Sequence, residues 1–120
     1  MVVLVDTSVW INHFRNKDAH LEVLLSESVI AVHPFTIAEL LLGQLKNRRE
    51  ILTLMQALPE ATLLTQKELL HFIEHRQLAG TGIGFVDAHL LASIELMQGL
   101  LWTTDKPLRL AADKFDRAYK

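Results

Sequence analysis

Residues 2–11 read VVLVDTSVWI, in which a short apolar run ends at an aspartate and passes at once into a helical pattern. A continuous apolar run of this length, bounded by a polar residue, is typical of a buried strand in a parallel sheet. Ser8 is placed to cap a helix beginning at Val9, because its hydroxyl oxygen can accept from a free backbone N–H. The stretch therefore predicts a strand, an acid at its carboxyl end, and a helix covering the sheet.

Short apolar runs alternate with longer amphipathic segments along the rest of the chain, the pattern of an α/β protein with a parallel sheet wrapped by helices. The AGTGIG segment at 79–84 predicts a break between two helices. Strands are predicted at 2–5, 29–32, 61–65 and 100–103. Helices are predicted at 8–15, 19–27, 35–45, 47–58, 66–79 and 85–98, with a further turn or helix after Pro107.

Composition limits the class of protein. A chain of 120 residues predicts a single domain, over 1–120. The net charge of −2 means that the chain has no overall positive charge of the kind that indicates nucleic-acid binding. The absence of cysteine excludes disulfides and Cys-type zinc sites. The apolar content of 50% indicates a surface buried by another chain. No run is long enough for a membrane span or a signal segment, so we expect a cytoplasmic protein.

Four acids, Asp6, Glu39, Asp87 and Asp105, are each the only charge in an otherwise apolar stretch. Ionised acids are almost never fully buried unless something pairs with them. Asp6 and Asp105 follow predicted strands, and ligands of open parallel sheets bind outside the carboxyl ends of strands. Asp87 lies in the first turn of the predicted helix 85–98, and Glu39 is predicted on the packed side of its own helix, one turn from Phe35. The pattern predicts that all four converge.

Each acid taken alone has a purely structural interpretation as a helix cap or a first-turn acid favoured by the helix dipole. Four together are harder to explain in that way. Two like charges about 6 Å apart repel by roughly 3 kcal/mol at an effective dielectric near 20. Such a cluster would need a divalent cation or would retain extra protons. Oxygen-only ligands favour Mg²⁺ or Mn²⁺ over zinc.

The sequence also resembles the PIN-domain ribonucleases and, among them, the VapC toxins of bacterial toxin–antitoxin pairs. The matching pieces are VLVDTSVWI, AELLLG, GIGFVDAHLLAS and LLWTTDKPL, in the order and at the spacing of that family. The resemblance implies a three-layer α/β/α sandwich with a parallel sheet of four to five strands. It implies that the four acids form the family's acidic pocket, which the hydroxyls of Ser8 and Thr103 brace.

The chemistry expected of such a pocket is hydrolysis of RNA phosphodiester bonds with Mg²⁺ as cofactor, or alternatively Mn²⁺. Asp6 and Asp87 are expected to contact the metal directly, while Glu39 and Asp105 complete its coordination or hold a second ion. The resemblance implies products with 3′-hydroxyl and 5′-phosphate ends. It also implies a homodimer that is held inactive by a VapB-type antitoxin.

Two groups of basic residues are candidates for contacts with RNA phosphates. An equally good interpretation is that they are solvated charges at helix ends. The first group is Lys46, Arg48 and Arg49, and the second is Lys106 and Arg109.

Three other functions are weighed against the nuclease. HFIEH at 71–75 matches a zinc-peptidase motif, but both histidines are predicted on the wet face, opposite Leu69, Leu70 and Ile73. A receiver-type phosphorylation switch would need an aspartate after the third strand, where the sequence reads ATLLTQKE. A non-catalytic RNA- or protein-binding module on the same fold would be expected to have lost an acid, and none is missing.

Overall fold

The computed structural model describes all 120 residues, and its elements follow the predicted order except for the strand predicted at 61–65. None of the helices is both long and apolar enough to cross a bilayer. The strands are β1 (Val3–Val5), β2 (Ile30–Ala31) and β3 (Leu100–Trp102). The helices are α1 (Thr7–Asn16), α2 (Ala19–Ser26), α3 (Pro34–Leu42), α4 (Arg48–Ala57), α5 (Gln66–His75), α6 (Phe85–Met97) and α7 (Lys106–Lys114).

The three strands are parallel and lie in the order β2-β1-β3, so the first strand of the chain is central. Val3 pairs with Ile30 on one side and with Leu100 on the other. The chain leaves β1 towards one edge and returns later to the opposite edge, which makes the gap between β1 and β3 the point where strand order reverses. Ligands of open α/β sheets bind at such a point, outside the carboxyl ends of the strands.

The predicted sheet of four to five strands is wrong in number, because only three strands form. The segment 61–65, predicted as a strand, is irregular, and its neighbour Glu60 forms a single parallel bridge with Val32. Leu64 packs instead against the small core cluster beneath α5 and α6, which draws the chain away from the sheet. A second isolated bridge joins Leu101 to Ala118, so the C-terminal tail touches the other edge without forming a strand.

The side chains of β1 alternate between two cores, as the two-residue period of a strand requires. Val3 and Val5 face a cluster that includes Trp10 and Leu21 from the first two helices. Leu4 faces the opposite cluster, with Leu90 among its members. Helices therefore cover both faces of the sheet and give the predicted three-layer α/β sandwich.

Candidate functional site

Asp6 is the best-fixed acid of the site. It directly follows β1, is 6% exposed, and is the N-cap of α1. Its Oδ1 accepts from the backbone N–H of Thr7 at 2.7 Å, and its Oδ2 accepts from the hydroxyls of Ser8 at 3.0 Å and Thr103 at 2.7 Å. The prediction that Ser8 caps a helix beginning at Val9 is therefore wrong, because the aspartate takes the cap and the serine hydroxyl donates to it.

Glu39 is linked to the same corner by Thr7, whose hydroxyl donates to Glu39 Oε1 at 2.7 Å. Glu39 is exposed, so its predicted place on the packed side of the helix is wrong. Helix α3 buries Thr36 and Leu40, which lie one turn apart, and the residue before Leu40 is rotated away from that face. Sequence reasoning passed over Thr7, although it stands between the two polar residues of D-T-S.

Asp105 and Asp87 come from the C-terminal half of the chain and lie at the same end of the parallel sheet as Asp6. Asp105 is the N-cap of α7, where its Oδ2 accepts from the backbone N–H of Leu108 at 3.1 Å. Its own N–H donates to Thr103 Oγ1 at 3.0 Å, so one threonine hydroxyl connects Asp105 with Asp6. Asp87 is partly buried in the first turn of α6. Four different helices thus contribute the four acids at one edge of the sheet.

The other three acids lie close enough to Asp87 for their charges to raise its pKa. Burial raises the pKa of Asp87, and the charges of Asp6, Asp105 and Glu39 raise it further, while the backbone N–H of Gly84 opposes the shift. None of the four acids is ion-paired with a lysine or arginine. The salt bridges of the protein join other residues. The corner is therefore an uncompensated negative site.

The donor set at this corner fits a hard divalent cation, because it consists of carboxylate and hydroxyl oxygens. It is not a closed cage, since no three acid or histidine side chains are arranged tightly enough to hold one ion directly. Asp6, Glu39 and Asp105 already accept hydrogen bonds that fix their orientation. Asp6 Oδ2 accepts two bonds, but Asp6 Oδ1, Glu39 Oε1 and Asp105 Oδ2 accept one bond each and keep a second lone pair for an ion or its bound waters.

The candidate phosphate-binding residues are all exposed, and none forms an ion pair with the four acids. Lys106 and Arg109 lie on the helix that Asp105 caps and line a shallow cleft there. Lys46 lines a separate groove between α1 and α4, and Arg48 and Arg49 begin α4. Their contacts with RNA stay a prediction.

The zinc-peptidase motif has no metal site around it. His71 and His75 are exposed on α5 with parallel rings 6.0 Å apart, and no third ligand joins them. They line the largest cleft of the molecule, about 660 Å³ between α5 and α6, which none of the four acids lines. The predicted buried face of this helix is partly wrong, because Leu70 is 53% exposed.

Two buried histidines behind the acids escaped sequence reasoning. His33 precedes Pro34 and is the N-cap of α3, where its Nδ1 accepts from the backbone N–H of Phe35 at 3.0 Å. Its ring lies 5.9 Å from that of His89. Burial, followed by the nearby His89, lowers the pKa of His33 from 6.5 to about 4, and burial lowers the pKa of His89. Both histidines are therefore neutral at pH 7. Their burial depends on the tertiary structure, so the sequence alone does not reveal it.

This burial predicts a loss of stability in mild acid. The folded state binds fewer protons at His33 than the unfolded state between pH 6.5 and about 4, so the free energy of unfolding falls as pH decreases through that window. We expect His33 to account for about 2 kcal/mol of the loss between pH 7 and pH 5. Urea unfolding at the two pH values measures it.

The matched variant is His33→Asn, whose side-chain oxygen can still cap the helix but does not titrate. It should lose clearly less stability than the parent over the same interval. Asp87 acts in the opposite direction, because an acid with a raised pKa favours the folded state as pH falls, and it does so equally in both proteins. Equal losses in the two proteins would show that His33 is not responsible.

Comparison with known proteins identifies the class. The family model described as "PIN domain" matches residues 3–114, and the chain belongs to that family. Within it, the chain is similar to Ribonuclease VapC32 of Mycobacterium tuberculosis, in strains CDC 1551 / Oshkosh and ATCC 25618 / H37Rv. It is 45% identical to that protein over 111 residues, covering 92% of this chain and 90% of the relative. This is a VapC-type PIN domain, as the motifs around the four acids predicted, and the match removes the receiver-type alternative.

A solved structure supports the fold alone. It is titled "Structure of FitAB bound to IR36 DNA fragment" and superposes with a TM-score of 0.64 at 16% identity, covering 93% of this chain and 91% of that one.

Proposed function

We propose that this protein is a metal-dependent endoribonuclease and the toxin of a toxin–antitoxin pair. The support for RNA as substrate is its likeness to a protein named Ribonuclease VapC32. The observation that supports the metal dependence is a group of four carboxylates in which Asp6, Asp105 and Glu39 all act on Asp87 and none has a lysine or arginine partner. Mg²⁺, with Mn²⁺ as the alternative, matches these oxygen ligands.

Asp6 and Asp87 are the proposed direct ligands, because they are the two more buried acids. A buried carboxylate is poorly solvated by water, so a bound cation stabilises its negative charge more than that of an exposed one. Glu39 and Asp105, both exposed, would complete the coordination through waters or hold a second ion. When bound, the ion would supply a lowered water pKa and stabilise the charge that develops on the phosphoryl oxygens. Thr7, Ser8 and Thr103 keep the acids in place through the hydrogen bonds described above.

The proposal includes two partners. Helices α3 and α4 leave Leu42 and Leu54 exposed, by 87% and 38%. A groove of about 500 Å³ between α1 and α4 adds four further apolar side chains to this side of the molecule. Surfaces of this kind support a homodimer and a VapB-type antitoxin, both acting in the cytoplasm. A purely monomeric protein by light scattering at micromolar concentration would refute the dimer.

The test of metal dependence is cleavage of mixed transfer and ribosomal RNA with Mg²⁺, with Mn²⁺ and with EDTA. We expect discrete fragments with either metal and none with EDTA. Asp87→Asn should lose cleavage, because it removes one of the proposed direct ligands. The matched control is Glu74→Gln, which neutralises an exposed acid on α5 outside the site and should cleave as the parent does.

Cleavage that survives EDTA or Asp87→Asn would refute the metal mechanism. A gel-shift assay with the same RNA separates the remaining alternative, because a non-catalytic RNA-binding module would bind RNA without cutting it under any metal condition.

A further inference from the structure

We infer that Phe85, supported by Phe35 and His89, is a stacking platform for an unpaired RNA base next to the four acids. The inference rests on the proposed ribonuclease function and names a subsite within it. The observation behind it is an exposed aromatic ring in a chain that buries most of its large apolar side chains: Phe85 is 58% exposed.

The ring of Phe85 is held in place by its neighbours. It stacks on Phe35 with ring centroids 6.1 Å apart and planes within 24°. His89, which is 3% exposed, meets both rings edge-on, 4.7 Å from Phe35 and 4.8 Å from Phe85. Aromatic pairs in these arrangements are mutually stabilising. An exposed ring that is already fixed costs little ordering entropy when a ligand stacks on it.

The platform is continuous with the acids. Phe85 and Asp87 share the first turn of α6, and Phe35 precedes Glu39 by one turn of α3, on the same side of that helix. A phosphodiester held at the acids therefore has the base of a flanking nucleotide within reach of Phe85. Binding of the phosphate at the acids would hold the RNA in place, and stacking on Phe85 would orient the flanking base.

The space beside the ring also suits a base. A cleft of about 210 Å³ opens next to Phe85, and most of its lining is apolar, including Leu78 and Ile83. No charged side chain lines it. At Gly80 and Gly84 the space where a Cβ would point is open, so no side chain of this loop fills the approach to the cleft. A mostly apolar, uncharged cleft beside an exposed aromatic ring suits the apolar face of a nucleobase.

The test is the binding of a short single-stranded RNA that carries 2-aminopurine, whose fluorescence is quenched when it stacks. The Asp6→Asn background keeps the RNA intact. We expect quenching by this protein, and binding roughly 5- to 150-fold weaker, with the quenching lost, after Phe85→Ala. Phe85→Trp should restore both. Leu96→Ala, which removes another exposed apolar side chain from the far end of the same helix, should change neither.

Phe85→Leu distinguishes a base from a protein partner, because leucine keeps the apolar surface but has no ring face. If it binds RNA as the parent does, or if Phe85→Ala leaves binding unchanged, the platform is refuted. Parent protein that cuts RNA equally well after Phe85→Ala refutes the platform but not the nuclease. Quenching without cleavage by the parent refutes the nuclease but not the platform. No RNA binding by the parent refutes both.

Discussion

Asp6→Asn is expected to lower RNA cleavage by about 10³-fold or more, because a proposed direct metal ligand loses its charge while the shape of the side chain is kept. Asp6 is the acid whose position is most fully specified, with three hydrogen bonds to its two oxygens. Cleavage kinetics under Mg²⁺, together with calorimetry of Mg²⁺ binding, measure the effect.

The same substitution should leave the fold intact or make it slightly more stable. Asparagine keeps the acceptor for the N–H of Thr7, and its amide can donate to the hydroxyl oxygens of Ser8 and Thr103, which have lone pairs to accept. The change also removes repulsion with Asp87, whose pKa should fall as a result. A lower activity with an unchanged or higher melting temperature separates a functional acid from a structural cap.

Asp18→Asn is the matched control. Asp18 is also an N-cap, of α2, and accepts from the backbone N–H of Leu21 at 3.0 Å, but it lies outside the acidic corner. It should cleave as the parent does. An Asp6→Asn protein that retains more than about a tenth of the parent rate would contradict the role assigned to the pocket.

Gly99→Ala is expected to have the largest effect on stability. A Cβ at this position would lie 2.4 Å from Val2 Cγ1, 2.5 Å from the Val2 carbonyl oxygen and 2.7 Å from Ile94 Cδ1. The carbonyl cannot withdraw, because it accepts from the N–H of Leu100 at 2.9 Å beside the β1–β3 pairing. Overpacking of this kind costs about 1–3 kcal/mol, and more where backbone must move, so the melting temperature should fall by roughly 5–15 °C.

Gly43→Ala provides the comparison, because a Cβ there would meet its nearest atom at 3.5 Å, an ordinary contact. Thermal unfolding of the two variants beside the parent measures the difference. If both variants melt close to the parent, then β1 and β3 can separate at Gly99 without cost, and the close approach is not a constraint.

The positions of most helices and of three strands follow from sequence, because a period of 3.6 or 2 and a capping residue act among near neighbours. Such reasoning fails where a residue's packing partner is distant in the sequence. The segment 61–65 has the composition of a strand, yet Leu64 finds a better burial under α5 and α6. Glu39 stands among leucines, yet the face that α3 turns inward excludes it.

The sequence by itself determined which acids are present and that each stands alone in apolar surroundings. Only the tertiary structure decided how they meet, since the bond from Thr103 to Asp6 spans 97 residues and that from Thr7 to Glu39 spans 32. The parallel order β2-β1-β3 brings these distant segments to one edge of the sheet. The buried His33 and the ring pair of Phe35 and Phe85 arise in the same way. Sequence patterns reflect interactions between residues close in the chain, whereas the site forms from residues that become neighbours only when the strands pair.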